Sequence, residues 1–275
     1  FPGGTALTLA STPEAIWAGG SGLASITEGG RLVPHDVGGP VVSLLLDREG
    51  GLWAAMRAGG LVLQRQPRVR NFGPAEGMPG TVAFAVHRAR AGGMWIATNG
   101  GLVRWDGATF RRLLPAADGF ARGLTETPDG TLWAADGPRL VSVSGDEVEI
   151  HGPAEGVRDG GVRAVYADRR GDLWVAWDDL GDGPDERGVT RFPGARIVPG
   201  LPILGEAQGA CAGDVATIHE GPTGTMWFGT SERGLTRFAE GRARCFTTKD
   251  GLPSDTVFGV HEDADGSVWI AGVAE

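Results

Sequence analysis

The 275-residue sequence has few cysteines, no long apolar run and no excess of basic residues. Its net charge of −9 at pH 7 argues against nucleic acid as a partner, because binding to phosphates needs a basic face. The longest apolar candidate, 41–46, is far shorter than the roughly 18–20 residues of a membrane span and fits an inner strand. No membrane insertion is therefore predicted for this segment. No signal peptide is recognisable, which leaves a secreted origin open.

Only two cysteines are present, Cys211 and Cys245. A disulfide between them is compatible with an oxidising compartment, but two cysteines do not by themselves require one. The sequence leaves both states open.

What the sequence does contain is a repeat centred on tryptophan. An apolar residue precedes each of seven tryptophans, and glycine or alanine stands two places after each. Glycine also stands three places before six of the seven. The spacings are 36, 42, 38, 41, 53 and 42 residues, and a period near 40 indicates copies of one supersecondary unit. The seven are Trp17, Trp53, Trp95, Trp133, Trp174, Trp227 and Trp269.

Each copy has the pattern of a small antiparallel meander. In the sixth copy, four short strand candidates at 215–218, 226–230, 235–238 and 244–247 are separated by turns rich in glycine. One meander cannot bury both of its faces, so it needs neighbours, and stacking such sheets around an axis gives a β-propeller. The predicted fold is all-β: one propeller over 1–275, seven-bladed, with four-stranded antiparallel blades and an incomplete last blade. The blades are predicted at 5–34, 40–72, 81–114, 121–151, 161–198, 214–248 and 256–275 (partial).

The recurring residues are best explained as fold residues, since a catalytic group would not need seven equivalents. Each tryptophan is expected to pack between neighbouring blades, and the small residue two places later is expected to make room for a neighbouring ring. Aspartate six places before the tryptophan suits the start of a tight turn. Arginines followed by an aromatic residue are expected to pair across blades. These aspartates are Asp47, Asp168 and Asp263, and these arginines are Arg104, Arg191 and Arg237.

Three segments resemble the repeat of the two-component regulator propeller family: GTMWFGTSERGLTRF (224–238), GGMWIATNGGLVRW (92–105) and KDGLPSDTVFGVHEDADGSVWIAG (249–272). The fourth copy departs from this repeat after its tryptophan, because it lacks Gly-Leu and the arginine. The first copy lacks the preceding glycine. The resemblance extends over essentially the whole chain and supports the propeller prediction.

The resemblance implies a sensor-type propeller in the extracytoplasmic or periplasmic part of a bacterial receptor, of the two-component kinase or diguanylate cyclase type. It implies a small polar ligand, such as an oligosaccharide. It also implies a homodimer, a further propeller or an output domain as partners in a longer protein. The family offers no catalytic motif to transfer to this sequence.

Ligand binding is expected where the loops are longest. The 53-residue spacing in the fifth copy comes from two insertions, 178–187 and 199–213. Up-and-down topology puts both on the face that carries the loops after each tryptophan strand and the loops between blades. Candidate ligand-binding residues on this face are Trp177, Arg57, Asn99, Asp136, Arg233, Arg158 and Asp178, and further polar residues there are His35, Asp118, Asp159 and Asp255.

No cofactor or metal is predicted, although two metal hypotheses remain as alternatives. Segment 178–187 holds five carboxylates that could surround Ca²⁺, but it lacks the spacing of an EF-hand loop and also suits an ordinary turn. His87, His219 and His261 stand eight residues before their tryptophans, yet other copies have leucine, threonine or tyrosine there. Strand-end positions explain these histidines better than a metal ring.

Two other functions compete with the sensor hypothesis. Propellers host lyases and hydrolases, and the repeat is loosely similar to that of streptogramin lyases. No unique catalytic combination stands out from the repeats, so no enzyme activity is predicted. A protein-interaction scaffold is the third hypothesis, since many propellers have that role.

Overall fold

The computed structural model describes residues 6–12, 15–27, 30–47, 50–65, 68–116, 121–158, 160–177, 187–211 and 213–273. The chain divides into two compact units, Phe1–Leu124 and Thr125–Glu275. Within the described ranges the helical segments are short 3-10 turns, and none is long or apolar enough to cross a membrane. The 3-10 turns are Pro74–Glu76, Pro153–Glu155, Pro193–Ala195, Glu206–Gln208 and Thr248–Asp250.

The first unit contains three four-stranded sheets, each with its strands side by side in chain order. Neighbouring strands are antiparallel. The strands are β1 Ala6–Ser11, β2 Ala15–Gly20, β3 Leu23–Thr27, β4 Leu32–His35, β5 Val41–Leu46, β6 Leu52–Met56, β7 Leu61–Arg65, β8 Arg68–Phe72, β9 Ala83–Arg88, β10 Met94–Thr98, β11 Gly101–Trp105 and β12 Phe110–Leu114.

The second unit holds three more four-stranded sheets and, within its described residues, a two-stranded seventh sheet. Its first strand, β13, spans the boundary between the units. The structure thus confirms an all-β propeller architecture of four-stranded antiparallel blades. The strands are β13 Ala121–Glu126, β14 Leu132–Asp136, β15 Arg139–Ser144, β16 Glu147–His151, β17 Val162–Ala167, β18 Leu173–Trp177, β19 Val189–Phe192, β20 Ile203–Leu204, β21 Val215–Glu220, β22 Met226–Thr230, β23 Leu235–Ala239, β24 Arg242–Phe246, β25 Val257–Glu262 and β26 Val268–Gly272.

Repeat tryptophans of the second, fifth and sixth blades pack against the next blade, as the sequence predicts. Trp53 of the second blade lies 4.8 Å, ring to ring, from Trp105 of the third. Trp174 of the fifth blade packs against Phe228 and Phe238 of the sixth, with both ring distances at 5.6 Å. Within each unit the apolar core is therefore divided into layers between neighbouring blades.

Where the small residue two places after the tryptophan is glycine, it makes room for an aliphatic side chain, so the expectation of a neighbouring ring was wrong at Gly19 and Gly229. A methyl group added at Gly229 would lie 2.7 Å from Cγ1 of Val257, on the first strand of the next blade. At Gly19 it would lie 2.6 Å from Cγ1 of Val41. The first strands of successive blades therefore approach closely over these glycines.

Each repeated arginine lies opposite the tryptophan of its own blade, and the expectation of pairing across blades was wrong for Arg191, which forms an ion pair with Asp172 of its own blade. Arg104 pairs with Trp95 in strand register, and Arg191 pairs with Trp174. The guanidinium carbon of Arg104 lies 4.4 Å from the Trp95 ring centroid. These cations therefore cover the outer side of their own tryptophan.

The aspartate six residues before the tryptophan has a second function besides the turn. In the second blade, Oδ1 of Asp47 accepts from the Gly51 amide at 2.7 Å, and Oδ2 accepts from the indole N–H of Trp53 at 2.9 Å. The third and fourth blades have Ala89 and Thr127 at this position. Within the described residues, the buried indole N–H groups of Trp95 and Trp133 have no hydrogen-bond partner.

Candidate ligand-binding site

In each unit the loops after the second strands and the loops between blades lie on one face, here called the loop face. In the loops between blades, an acidic side chain accepts a hydrogen bond from the backbone amide of the first loop residue. The amide of Gly152 donates to Glu155 Oε2 at 2.8 Å, and the amide of Thr247 donates to Asp250 Oδ2 at 3.0 Å. Such caps fix the loops against the sheets before any ligand arrives.

Trp177 and Arg158 form a pair on the loop face of the second unit. Trp177 is only 2% exposed, its ring edge packs against Phe192, and its indole N–H donates to Thr190 Oγ1 at 2.8 Å. The guanidinium carbon of Arg158 lies 5.9 Å from the Trp177 ring centroid. Because the indole is buried, the group that this pair presents toward the loops is the half-buried Arg158.

The predicted residues Asp136 and Arg233 lie on the same unit but differ in their surroundings. Asp136 is buried and forms an ion pair with Arg139 across the tight turn that joins β14 to β15. Arg233 is exposed, and its amide donates to Thr230 Oγ1 at 2.9 Å. Asp136 therefore supports its turn, whereas the side chain of Arg233 faces solvent.

Asp255 also organises a loop. Its Oδ1 accepts from the Thr248 amide at 2.6 Å, and its backbone oxygen accepts from the Gly234 amide at 2.7 Å. This residue joins the loop after β22 to the loop before β25.

Sequence reasoning missed Arg163, which reaches the same face from a first strand. It occupies the irregular position between Val162 and Ala164 where the register of β17 with β18 shifts. Its guanidinium donates to Ser231 Oγ at 2.8 Å and lies 3.7 Å from the Asp214 carboxylate. The available signal was a single charged residue within the otherwise apolar β17 sequence VRAVYA.

In the first unit, three predicted residues are brought to loops or strand ends. Arg57 is exposed after β6, and Asn99 uses its Oδ1 to accept from the amides of Thr81 and Val82, at 2.9 and 3.1 Å. His35 was assigned to a loop, but it is the last residue of β4, where Nε2 contacts Ser25 Oγ at 2.9 Å. Asn99 and His35 therefore have local partners.

Three candidates, Asp118, Asp159 and Asp178, lie outside the described residues, as does most of insertion 178–187. The calcium hypothesis for that insertion therefore stays untested. In the described ranges, no group of three or more His, Cys, Asp or Glu side chains is arranged to hold a metal ion.

Cys211 and Cys245 form a disulfide, which resolves the alternative that the sequence left open. Cys211 is buried at the end of insertion 199–213, and Cys245 belongs to β24 on the outer side of the sixth blade. The bond therefore fastens the end of this insertion to the sheet that follows it.

Two of the three repeat-register histidines are close neighbours, but hydrogen bonding explains their placement. The rings of His219 and His261 lie 5.2 Å apart. The amide of Glu262 donates to Nε2 of His219 at 3.1 Å, and Nε2 of His261 lies 3.2 Å from an Asp263 oxygen. Burial, followed by the charges of His261 and Arg169, lowers the pKa of His219 to about 4, so this ring is a neutral acceptor at neutral pH.

Comparison with known proteins agrees with this architecture. The family model described as two-component regulator propeller matches residues 251–274, which confirms the resemblance in the seventh repeat. No curated protein sequence matches the chain.

The extracellular domain of a hybrid two-component system from B. thetaiotaomicron is similar in structure, with a TM-score of 0.82 and 16% identity over 99% of this chain and 38% of that one. The extracellular domain of a one-component system from the same organism gives a TM-score of 0.57 and 16% identity, and the match covers 96% of this chain and 38% of that domain. Virginiamycin B lyase from Staphylococcus aureus gives a TM-score of 0.68 and 14% identity, and the match covers 98% of this chain and 92% of the lyase. The chain thus spans 38% of the extracellular domains that it matches. At these identities the likeness shows the propeller fold, which hosts more than one function.

Proposed function

We propose that this chain is a ligand-binding sensor propeller from the extracytoplasmic input region of a bacterial signalling receptor, of the two-component kinase or diguanylate cyclase type. Its ligand is a small polar molecule such as an oligosaccharide. The two-component regulator repeat at 251–274 and the structural likeness to extracellular domains of signalling systems support this assignment. A homodimer, a further propeller or an output domain would pass the signal onward.

One observation carries the proposed site: Arg158 is held over the buried Trp177 at the base of insertion 178–187. An arginine guanidinium carries its N–H donors in a rigid planar fork, and this geometry suits sugar hydroxyls and carboxylates. Arg233 and Asp178 belong to the same proposed site, together with Asp136 as a supporting residue. Arg57 and Asn99 are the corresponding candidates of the first unit.

The disulfide supports the proposed location. Bonds such as Cys211–Cys245 form and persist in oxidising compartments and are rare in the reducing cytosol. An extracytoplasmic propeller would keep this bond throughout its lifetime.

A thermal-shift screen against oligosaccharides, small acids and divalent ions tests the proposal. A ligand at 100 times its Kd should stabilise the fold by about 2.7 kcal/mol, which raises the melting temperature measurably. The shift should disappear in Arg158→Ala and in a deletion of 178–187, and it should persist in Arg242→Ala, an exposed arginine on the outer strand β24.

One outcome would contradict the proposed site, and another would contradict the sensor assignment. A hit that survives both loop-face variants would move the site elsewhere. A ligand recovered in chemically changed form, by mass spectrometry after incubation, would favour the lyase or hydrolase alternative instead of a sensor.

A further inference from the structure

A cleft of about 430 Å³ opens between the fourth and fifth blades, within the second unit. Its walls include Glu147, Glu149 and His151 of β16 and Glu155 of the following turn, with Ile197 on the opposite side. Trp133 and Ser142 also line it. A cavity of this size holds a small organic ligand.

The charge of this cleft is one-sided. Among the described residues that line it, three are glutamates and none is lysine or arginine. Within the described ranges, the side chains of Glu147 and Glu149 have no hydrogen bond or ion pair, and Glu155 Oε2 lies 3.9 Å from His151 Nδ1. The second cleft of the unit, of about 370 Å³, balances its acidic residues with Arg170, Arg191 and Arg237. The first cleft therefore has an excess of acidic residues that no lysine or arginine in its described lining offsets.

The repeat itself shows that this charge is not required by the fold. Glu149 lies opposite Ser142, the residue that pairs with Trp133. At the equivalent place of the outer strand, the third blade has Arg111 and the sixth has Arg244. The fourth blade thus reverses the charge at a position where sister blades have arginine.

The first blade provides a second internal comparison. It has the same cluster of tryptophan, serine and histidine: Ser25 Oγ lies 2.9 Å from His35 Nε2, as Ser142 Oγ does from His151 Nε2. Its outer strand has Val33 opposite Ser25, where the fourth blade has Glu149. The serine–histidine contact is therefore a recurring packing feature, and the carboxylates are specific to the fourth blade.

Trp133 supplies an independent indication of a ligand. It is 5% exposed, it lines the cleft, and its indole N–H has no acceptor among the described residues. In the second and fifth blades the equivalent N–H bonds to the aspartate of the turn between the first two strands. Thr131, from the corresponding turn of the fourth blade, lines the cleft as well. An acceptor oxygen at this end of the cleft would satisfy a donor that is costly to leave unpaired.

We propose that the cleft binds a small organic cation with a primary ammonium group and hydroxyl groups, the chemistry of an amino sugar. The ammonium group lies among the carboxylates of Glu147, Glu149 and Glu155, and the sugar face packs against His151, whose ring stacks on Trp133 with the centroids 5.2 Å apart. The hydroxyl oxygens serve the donors at the Trp133 end. A metal ion is not the proposed occupant, because the described side chains form no metal-ligand group there. Through Glu155 the cleft shares the loop between β16 and β17 with Arg158 of the proposed loop-face site, but Glu147 and Glu149 lie on the outer strand β16.

The test is isothermal titration of the purified chain with the disaccharide of glucosamine, at a pH at which its amines are protonated. The N-acetylated disaccharide is the matched neutral ligand. We expect saturable one-site binding of the amine and binding at least about tenfold weaker for the acetylated form, because only the amine is attracted by the carboxylates.

The substitutions Glu147→Gln and Glu149→Gln change exposed side chains and remove their charge without changing their shape. The double variant should weaken amine binding by about tenfold or more, and Trp133→Phe should weaken it while keeping the aromatic surface. Glu240→Gln, an exposed glutamate in the lining of the second cleft, is the matched control and should leave binding unchanged. Equal binding of the two disaccharides, no binding of either, or equal loss in the control and double variants would overturn the proposal. Retained binding in Arg158→Ala would separate this site from the loop face.

Discussion

The carboxylate of Asp168 closes the turn between two strands and also holds the tryptophan of its blade. Its Oδ1 accepts from the amides of Arg170 and Asp172, both at 2.9 Å. Its Oδ2 accepts from the indole N–H of Trp174 at 2.9 Å. The aspartate therefore connects the local turn to the interblade core, and it explains why this residue recurs six places before the tryptophan.

The first prediction is that Ala89→Asp stabilises the third blade. Ala89 is buried at the equivalent position, and its backbone makes the same turn contacts with Gly92 and Gly93. A carboxylate there would supply the acceptor that Trp95 lacks among the described residues, so unfolding should require about 0.5–1.5 kcal/mol more. Urea denaturation at neutral pH measures the change.

Ala89→Asn is the matched control for that prediction. The asparagine side chain has one acceptor oxygen, whereas the turn offers two donors, a backbone amide and the indole N–H. It should therefore stabilise the blade less than aspartate does. A lower stability of Ala89→Asp than of the parent chain would show that carboxylate burial outweighs the new hydrogen bonds.

The second prediction concerns the tryptophan wedge. Trp227 is 8% exposed and packs with Val257 and Val260 of the next blade, so Trp227→Ala should lower the unfolding free energy by roughly 3–5 kcal/mol. Trp269 stands at the same repeat position but is 37% exposed, and Trp269→Ala should have a clearly smaller effect. Thermal and urea unfolding of both variants give the comparison, and equal losses would refute a dependence on burial between blades.

The third prediction is that the folded state loses stability on acidification at pH values above those at which carboxylates titrate. Burial lowers the pKa of His87 to about 4, with a further contribution from Arg90, and the pKa of His219 is lowered to about 4 as well. Because both folded-state values lie below the ordinary 6.5, the unfolded chain binds more protons, and stability is lost as pH falls from 6.5 toward 4.

Between pH 7 and pH 5 each histidine should remove about 2 kcal/mol of unfolding free energy. His219→Gln keeps an acceptor for the Glu262 amide but does not titrate, so it should reduce this loss by about half. Denaturant unfolding at several pH values provides the measurement. An unchanged pH dependence in His219→Gln would mean that this ring titrates normally.

The fourth prediction is that the disulfide stabilises the fold. The bond closes a loop with a sequence separation of 34, and the chain-entropy account assigns such a loop about 2–4 kcal/mol. The double variant Cys211→Ser, Cys245→Ser should lose this amount, and reducing agent should lower the melting temperature of the parent but not of the variant. Equal melting temperatures with and without reductant would contradict the prediction.

Much of the architecture could be predicted from residues in the repeat. The even spacing of Trp95, Trp133 and Trp174, with small residues at fixed offsets, specifies strands that need neighbours on both faces. The pairing of Arg104 with its own Trp95 could not be predicted in this way, because it depends on the register of two strands. The aliphatic neighbour of Gly229 likewise belongs to the following blade and is distant in sequence.

The candidate site was less accessible to sequence reasoning. Loop length pointed to the face that carries Trp177, but only the structure shows that this indole is buried beneath Arg158. Arg163 escaped notice because its position on β17 looks like that of an inner-strand residue until the register shift is known. The acidic cleft could not be predicted either, because Glu149 and Glu155 belong to different elements and meet only in the folded chain.

The sequence by itself determined the repeated blade, its four strands and its tight turns, because these depend on local spacing and on residue type. Only the tertiary structure decided which distant residue each side chain meets: Val257 lies over Gly229, and Cys245 bonds to Cys211. The physical reason is that hydrogen bonds and charge pairs act over a few ångströms. Their partners are set by strand register and blade stacking, which bring together residues that are far apart in the chain.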